Sequence, residues 1–242
     1  ATRLAVRTAD RIIVPTSVVA RDLERYYACD PTKIAVIPHG VESRITHHEA
    51  RGRSDSSQFS IPSSQFVLYI GRLEHKKNVV RMIEAFERIA PQFPEFNLVL
   101  AGKPGHGYDV VRTAIDQSPM RDRIVTPGWV PEEVCQRLLA QASVFLFPTF
   151  GEGFGLPILE AMAAGVPVVT SRGGAHEEVA GDAAVLVDAT DVDSIARGMM
   201  LVVSNASLHA DLVRRSQQRA NQFTWQQSAQ ATWKAIRDVL ST

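Results

Sequence analysis

SVFLFPTFGEGFGLPILEAMAAGVPVVTS, residues 143–171, holds a complete structural unit. Val144–Phe147 is an apolar run of the length of a buried strand. A glycine-spaced turn follows, residues 157–164 read as a helix opened by Pro157, and 167–170 is a second apolar strand. Strand, helix and strand in that order predict a parallel pair joined by a crossover. Outward from this unit the same alternation continues. Strand-like runs lie at Phe66–Ile70, 96–101, 123–126 and Ala184–Val187, with helical stretches between them. Val79, Met82, Ile83, Phe86, Ile89 and Ala90 share one helical face, and 109–117 and 131–141 are further helices. Strands this apolar, separated by single helices, predict an α/β fold. It is a doubly wound, Rossmann-like parallel sheet covered on both faces.

Beyond residue 187 only helices are expected. Asp191 is placed to cap one, and Thr224 with Gln227 spells a capping box before a helix carrying Trp225, Ala229, Trp233, Ile236 and Leu240. Upstream, a strand at 10–14, a helix at 16–28 and a strand at 33–37 are too little to bury a core of their own. They are expected to be the remnant of a second sheet, so the chain reads as a fragment. Residues 39–64 are serine-rich, and their apolar members (Val41, Ile45, Phe59, Ile61) show no period, which predicts a linker. The expected organisation is 1–38 remnant, 39–64 hinge, 65–222 main domain and 223–242 terminal helix.

The 242 residues carry 26 Lys+Arg against 26 Asp+Glu, a net charge of zero. That balance gives no electrostatic reason to bind nucleic acid or an anionic membrane. No apolar run approaches the roughly 18 residues needed to span a bilayer. Cys29 and Cys135 are too few and too far apart for a disulfide framework or a zinc site, and no signal-peptide pattern occupies residues 1–10. A cytoplasmic setting is the expectation.

Ligands of a doubly wound sheet bind at the carboxyl ends of its strands. After Phe66–Ile70 come Gly71 and then Arg72 and Lys77, flanking the start of a helix. Cations there oppose the helix dipole unless an anion such as a diphosphate sits among them; the alternative is a solvated basic face shared with Glu74, Glu84 and Glu87. After Val144–Phe147, Gly151, Gly153 and Gly155 let backbone approach a ligand, with exposed N–H groups around Gly155 and Leu156. Glu160, in an otherwise apolar helix, needs polar partners such as sugar or ribose hydroxyls, or else is an exposed helix position. Gly102–Gly107 is equally a surface turn or a ligand loop. Asp191-Val192-Asp193 has the spacing of a metal-binding D-x-D but sits where aspartate caps a helix. His39 stands at the expected hinge, and His47, His48, His75, His106 and His176 are scattered over turns without metal-site spacing. No G-x-G-x-x-G follows the first strand of the repeated region, which disfavours a dehydrogenase.

With these turns read, the chain resembles the retaining, GT-B-fold glycosyltransferases of family 4, the group 1 glycosyl transferases. ADRIIVPTSVVARDLERYY and KIAVIPHGVE resemble the end of the N-terminal, acceptor-side domain and its hinge, where Asn is more usual than His39. LYIGRLEHKKNV resembles the family's diphosphate turn, and FGEGFGLPILEAMAAGVPVVTS its E-x7-E signature. The resemblance implies a nucleotide-sugar donor domain. Arg72 and Lys77 would hold the diphosphate, and Gly153, Phe154, Gly155 and Leu156 would touch sugar and phosphate through backbone groups. Glu152 would orient the transferred sugar as the catalytic residue, Glu160 would hold the ribose, and Gly128, Trp129 and Val130 would line the base pocket. It implies no metal and no cofactor beyond the donor, because cations and helix N–H groups offset the leaving charge.

The implied reaction moves a hexose from GDP-mannose, or a UDP-sugar, to a hydroxyl acceptor with retention, in bacterial surface polysaccharide or glycolipid assembly. EEVAGDAAVLVD is most similar to bacterial mannosyltransferases. The implied setting is cytoplasmic, with the complete protein peripheral on the inner face of the membrane. The carbohydrate or lipid-linked acceptor would bind through the N-terminal domain, so this chain alone is expected to bind donor and transfer nothing. A GT-B-like sugar-nucleotide epimerase and a non-catalytic nucleotide-binding module remain alternatives.

Overall fold

The computed structural model describes residues 2–42 and 65–241; most of the expected hinge, with His47 and His48, lies outside them. The N-terminal segment comprises α1 (Thr2–Thr8), β1 (Ile12–Val14), α2 (Ser17–Tyr27) and β2 (Ile34–Val36). Thr16 caps α2 by accepting from the Val19 amide, and Ala28 ends it in the left-handed conformation. β1 and β2 pair in parallel as a separate two-stranded sheet, Ile12 opposite Ile34. α1 is an addition to the expected elements.

The second part alternates strand and helix: β3 (Phe66–Ile70), α3 (Val79–Ile89), β4 (Asn97–Ala101), α4 (Tyr108–Gln117), β5 (Ile124–Gly128), α5 (Glu132–Gln141), β6 (Val144–Phe147), α6 (Leu156–Ala163), β7 (Val168–Ser171), α7 (Gly174–Ala180) and β8 (Ala184–Val187). It closes with α8 (Val192–Ser204), α9 (Ala206–Ala220) and α10 (Trp225–Leu240). Asp191 caps α8, and the Thr224–Gln227 capping box opens α10, both as expected. β5 begins later than expected because Arg121–Arg123 form a 3-10 turn. There Arg123 turns its guanidinium onto the carbonyls of Phe96 (2.9 Å) and Ala90 (2.8 Å). β5 also runs on through Pro127, and its pairing with β4 shifts register between Val99 and Ala101, as an edge strand with a missing donor allows. α7 escapes periodicity because its seven residues start on Gly174 and carry too little repeat to register.

The six strands are all parallel, in the order β5-β4-β3-β6-β7-β8. The chain starts in the middle at β3, winds outward to β5, then crosses back to β6 and winds the other way. The order reverses between β3 and β6, and a crevice opens beyond their carboxyl ends. Those two strands are dry but for Ile70 at the end of β3. Phe66, Val67, Leu68 and Tyr69, with Val144, Phe145, Leu146 and Phe147, are all at most 1% exposed. Tyr69 stacks on Phe147 at 5.9 Å, and its hydroxyl donates to the Arg72 carbonyl at 2.8 Å. The core thereby fixes the first turn of the site.

α10 returns to the N-terminal segment. A cleft of about 280 Å³ is lined by Asp10, Arg11 and Ile13 on one side and Ala235, Ile236, Val239 and Leu240 on the other. The two segments thus face each other across this cleft, while Trp225 and Trp233 are exposed. At Gly40 the chain passes so close that a Cβ would stand 2.1 Å from the Trp225 backbone nitrogen. The Val41 amide beside it donates to the Phe223 carbonyl at 3.0 Å. Among the described residues no helix is long and apolar enough to cross a membrane.

Candidate functional site

The turns after β3 and β6 meet over the crevice. Lys77 forms an ion pair with Glu152, both largely buried (side chains 15% and 18% exposed), joining the expected diphosphate turn to the glycine turn. Two further links hold the turns in register. The Phe150 amide donates to the Lys76 carbonyl at 3.2 Å, and the Asn78 side-chain amide donates to the carbonyls of Pro148 (2.9 Å) and Ala189 (2.7 Å). Asn78 is 3% exposed with φ 61°, a left-handed conformation that asparagine tolerates better than most residues. Arg72 is exposed at the same turn, and among the described residues its guanidinium makes no ion pair.

Behind Glu152 lies a polar chain that motif reading missed. The Thr149 hydroxyl is 3.4 Å from Glu152 Oε1 and 2.7 Å from His176 Nε2. His176 is 2% exposed on α7, and burial pushes its pKa down, so the ring stays neutral under ordinary conditions. The Ser171 hydroxyl donates to the Thr149 carbonyl at 2.6 Å. A cavity of about 620 Å³ beside these groups is lined by Thr149, Glu152, Ser171, Arg172, His176 and Asp188, with Val18 and Asp22 of α2 across from them. Only position 176 among scattered histidines hinted at this, and proximity to β6 is invisible in one dimension.

α6 begins at Leu156 after Gly155, which has φ 98° and no side chain to cap the helix. The Ile158 amide turns back to the Gly155 carbonyl at 2.9 Å. A second cavity, of about 370 Å³, is walled by Ile70, Leu156 and Glu160 on one side and by Glu132, Cys135, Gln136 and Leu139 of α5 on another, with Gly40–Glu42 and Trp225 closing it. Glu160 therefore opens into a cleft. Glu160 is an exposed residue, the alternative expected from its helix position, with its carboxylate partly shielded by the cleft walls. This loss of bulk solvent raises its pKa, with the Glu132 charge adding to the effect. Burial, aided by Glu132 and Glu160, likewise pushes the Cys135 thiol up to about 11.

Gly128–Val130 sit immediately before α5, and none of the three lines this cavity. Val130 is buried, whereas Trp129 is 59% exposed with Lys103 Nζ over its ring at 5.1 Å. The turn at Gly102–Gly107 closes on the β3 turn: the Gly105 amide donates to Leu73 and the Leu73 amide to Lys103. Asp191 and Asp193 do not form a ligand pair. The Asp191 carboxylate accepts from the Asp193 amide, and Asp193 pairs with Arg88 on α3. Among the described residues no cluster of three or more His, Cys, Asp or Glu could hold a metal ion.

In a doubly wound sheet the crevice at the switch point, here edged by a glycine turn and a cation, is where ligands bind. The family description "Glycosyl transferases group 1" matches residues 53–219, and "Glycosyltransferase Family 4" matches residues 1–44. The chain belongs to the group 1 glycosyl transferases. It is 35% identical over 173 residues to the Escherichia coli O-antigen chain mannosyltransferase B, covering 71% of this chain and 45% of that protein. Its fold matches the sucrose-phosphate synthase of Thermosynechococcus elongatus with a TM-score of 0.85 at 22% identity, over 99% of this chain and 61% of that one. It matches Anabaena HepE, solved with UDP-glucose, at 0.80 and 18% identity, over 99% and 66% respectively. The chain spans about half the length of the curated relatives it matches.

Proposed function

We propose that this chain binds a nucleoside-diphosphate sugar as the donor side of a retaining hexosyltransferase. The observation that carries the reading is the Lys77–Glu152 ion pair, which bridges the two switch-point turns beside the uncapped start of α6. Lys77 and Arg72 take the diphosphate, and the amides around Gly155 and Leu156 offer it further donors. Glu152, released from Lys77 by the incoming phosphates, turns to hydroxyls of the transferred hexose. Glu160 accepts from the ribose hydroxyls in the adjoining cleft, and the base lies toward Gly128–Val130 and α5.

In the transfer step the bond from the sugar's anomeric carbon to the phosphate oxygen breaks, and the bond to the acceptor oxygen forms on the same face. The acceptor proton passes to the departing phosphate. Cationic side chains and helix amides meet the negative charge as it develops, so we assign no metal to the step. Similarity to a mannosyltransferase of O-antigen chains supports GDP-mannose as donor and surface polysaccharide as the setting, with a UDP-sugar as the other candidate. Acceptor binding and turnover are assigned to the longer protein; the 242-residue chain alone is expected to bind donor without transferring it.

Calorimetry with GDP, GDP-mannose, UDP and UDP-glucose tests this. One nucleotide series should bind in the micromolar range and raise Tm by mass action. Absence of binding by all four would remove the proposal.

A further inference from the structure

The glycine turn is held from outside its own sheet. The Thr16 hydroxyl, at the start of α2, donates to the Gly153 carbonyl at 2.9 Å. His39 packs edge-on against Phe154 with centroids 4.9 Å apart, and Phe223 meets the same ring at 6.0 Å. Thr16 is 1% exposed, so water does not compete for its bond. The start of α2 is itself pinned. The Glu178 carboxylate of α7 accepts from the Ser17 amide (2.7 Å), the Ser17 hydroxyl (2.7 Å) and the Val18 amide (3.1 Å). A carboxylate on the first free amides of a helix is favoured by both hydrogen bonding and the dipole. Arg219 of α9 in turn holds α7, donating to the carbonyls of Glu178 (2.7 Å) and Val179 (2.9 Å). α9, α7, α2 and the glycine turn thus form one continuous frame.

The consequence lies in the peptide between Gly153 and Phe154. In a trans peptide the C=O and N–H point in opposite directions. With the Gly153 carbonyl drawn toward Thr16, the Phe154 N–H is aimed away from α2, and among the described residues it makes no hydrogen bond. We infer that Thr16, seated by Glu178, is a positioning residue that orients the Gly153–Phe154 peptide so that its N–H meets the diphosphate of the donor. The inference rests on the nucleotide-sugar reading above. It also makes the N-terminal segment part of the donor site without touching the ligand.

The test compares Thr16→Val, Thr16→Ser and Glu178→Gln in the 242-residue chain, with guanosine, GDP and GDP-mannose and their uridine counterparts. Thr16→Val should raise Kd for the diphosphate ligands about fivefold, the worth of one hydrogen bond, and leave the nucleoside unchanged. Thr16→Ser should restore the wild-type ratio, and Glu178→Gln should shift it in the same direction by less. A merely structural role would lower Tm and leave the ratio of diphosphate to nucleoside affinity alone; that result in folded Thr16→Val overturns the inference. The Gly153 carbonyl carbon resonance gives a reading that needs no ligand. It should move upfield in Thr16→Val, and an unmoved resonance also overturns the inference. Failure of wild type to bind any of these nucleotides would strike the proposed function, and the resonance would then decide the peptide's orientation by itself.

Discussion

Lys77 and Glu152 pair with each other, so the fold holds in place the cation we assign to the donor diphosphate. Replacing Lys77 by Ala removes a charge-assisted partner and leaves Glu152 facing the phosphates. The expected outcome is a loss of about 1.5–3 kcal/mol in nucleoside-diphosphate affinity with nucleoside affinity unchanged, read by calorimetry. Arg72→Ala should show the same split. Glu160 makes the opposite pattern. Its raised pKa means that the folded chain holds this proton more tightly than the unfolded chain, so the charge carries a stability cost that begins above the ordinary value of 4.5 and is complete above the folded pKa. Glu160→Gln should therefore raise Tm at neutral pH while weakening nucleoside and nucleoside diphosphate alike, about tenfold. A lower Tm would contradict the desolvation account, and unchanged nucleoside affinity would remove the ribose role.

At the scale of elements, two side chains act as splints between segments distant in sequence. Asn78 joins the β3 turn to the ends of β6 and β8 through one buried and one partly buried bond, in a backbone conformation costly for most residues. Asn78→Gly keeps the backbone and loses the bonds, and should cost about 1–3 kcal/mol of unfolding free energy. Asn78→Ala adds the left-handed penalty and should cost about 1 kcal/mol more, both read by denaturant titration. Glu178 splints α2 to α7. Burial alone would raise its pKa, but the Ser17 hydroxyl and amide, the Val18 amide and Arg21 bring it below the ordinary glutamate value of 4.5. The folded state then binds this proton less readily than the unfolded chain. Its stabilising contribution is whole above 4.5 and fades as pH falls through the folded pKa. Tm measured from about pH 6 to about pH 3 should fall less steeply in Glu178→Gln than in wild type.

For the whole molecule, the deciding contact is where residues 39–42 pass under α10. Gly40 has no room for a methyl group, because backbone atoms of Thr224 and Trp225 stand within 2.6 Å of where it would be. Gly40→Ala should displace α10 and cost about 1–3 kcal/mol, the usual range for overpacking against atoms that cannot rotate away. The same shift should disturb the Glu160 cavity, which Gly40, Val41 and Trp225 help to close. Thermal unfolding with and without GDP or UDP separates the two effects, since a disturbed cavity reduces the ligand-induced rise in Tm as well as Tm itself.

Much of this was legible in one dimension. The apolar runs at Phe66–Tyr69 and Val144–Phe147 are buried on both faces and need no distant partner to announce themselves. Caps at Asp191 and Thr224 act within three residues, so their chemistry is local. The start of α6, expected at Pro157 and found at Leu156, was readable to within a residue for the same reason. What the tertiary structure alone decided are the meetings across sequence: Lys77 with Glu152, Thr149 with His176, Glu178 with the start of α2, and Gly40 with Trp225. Periodicity and turn chemistry are set by neighbours a few residues away, whereas these pairs exist only once strand order and crossover direction bring the turns together.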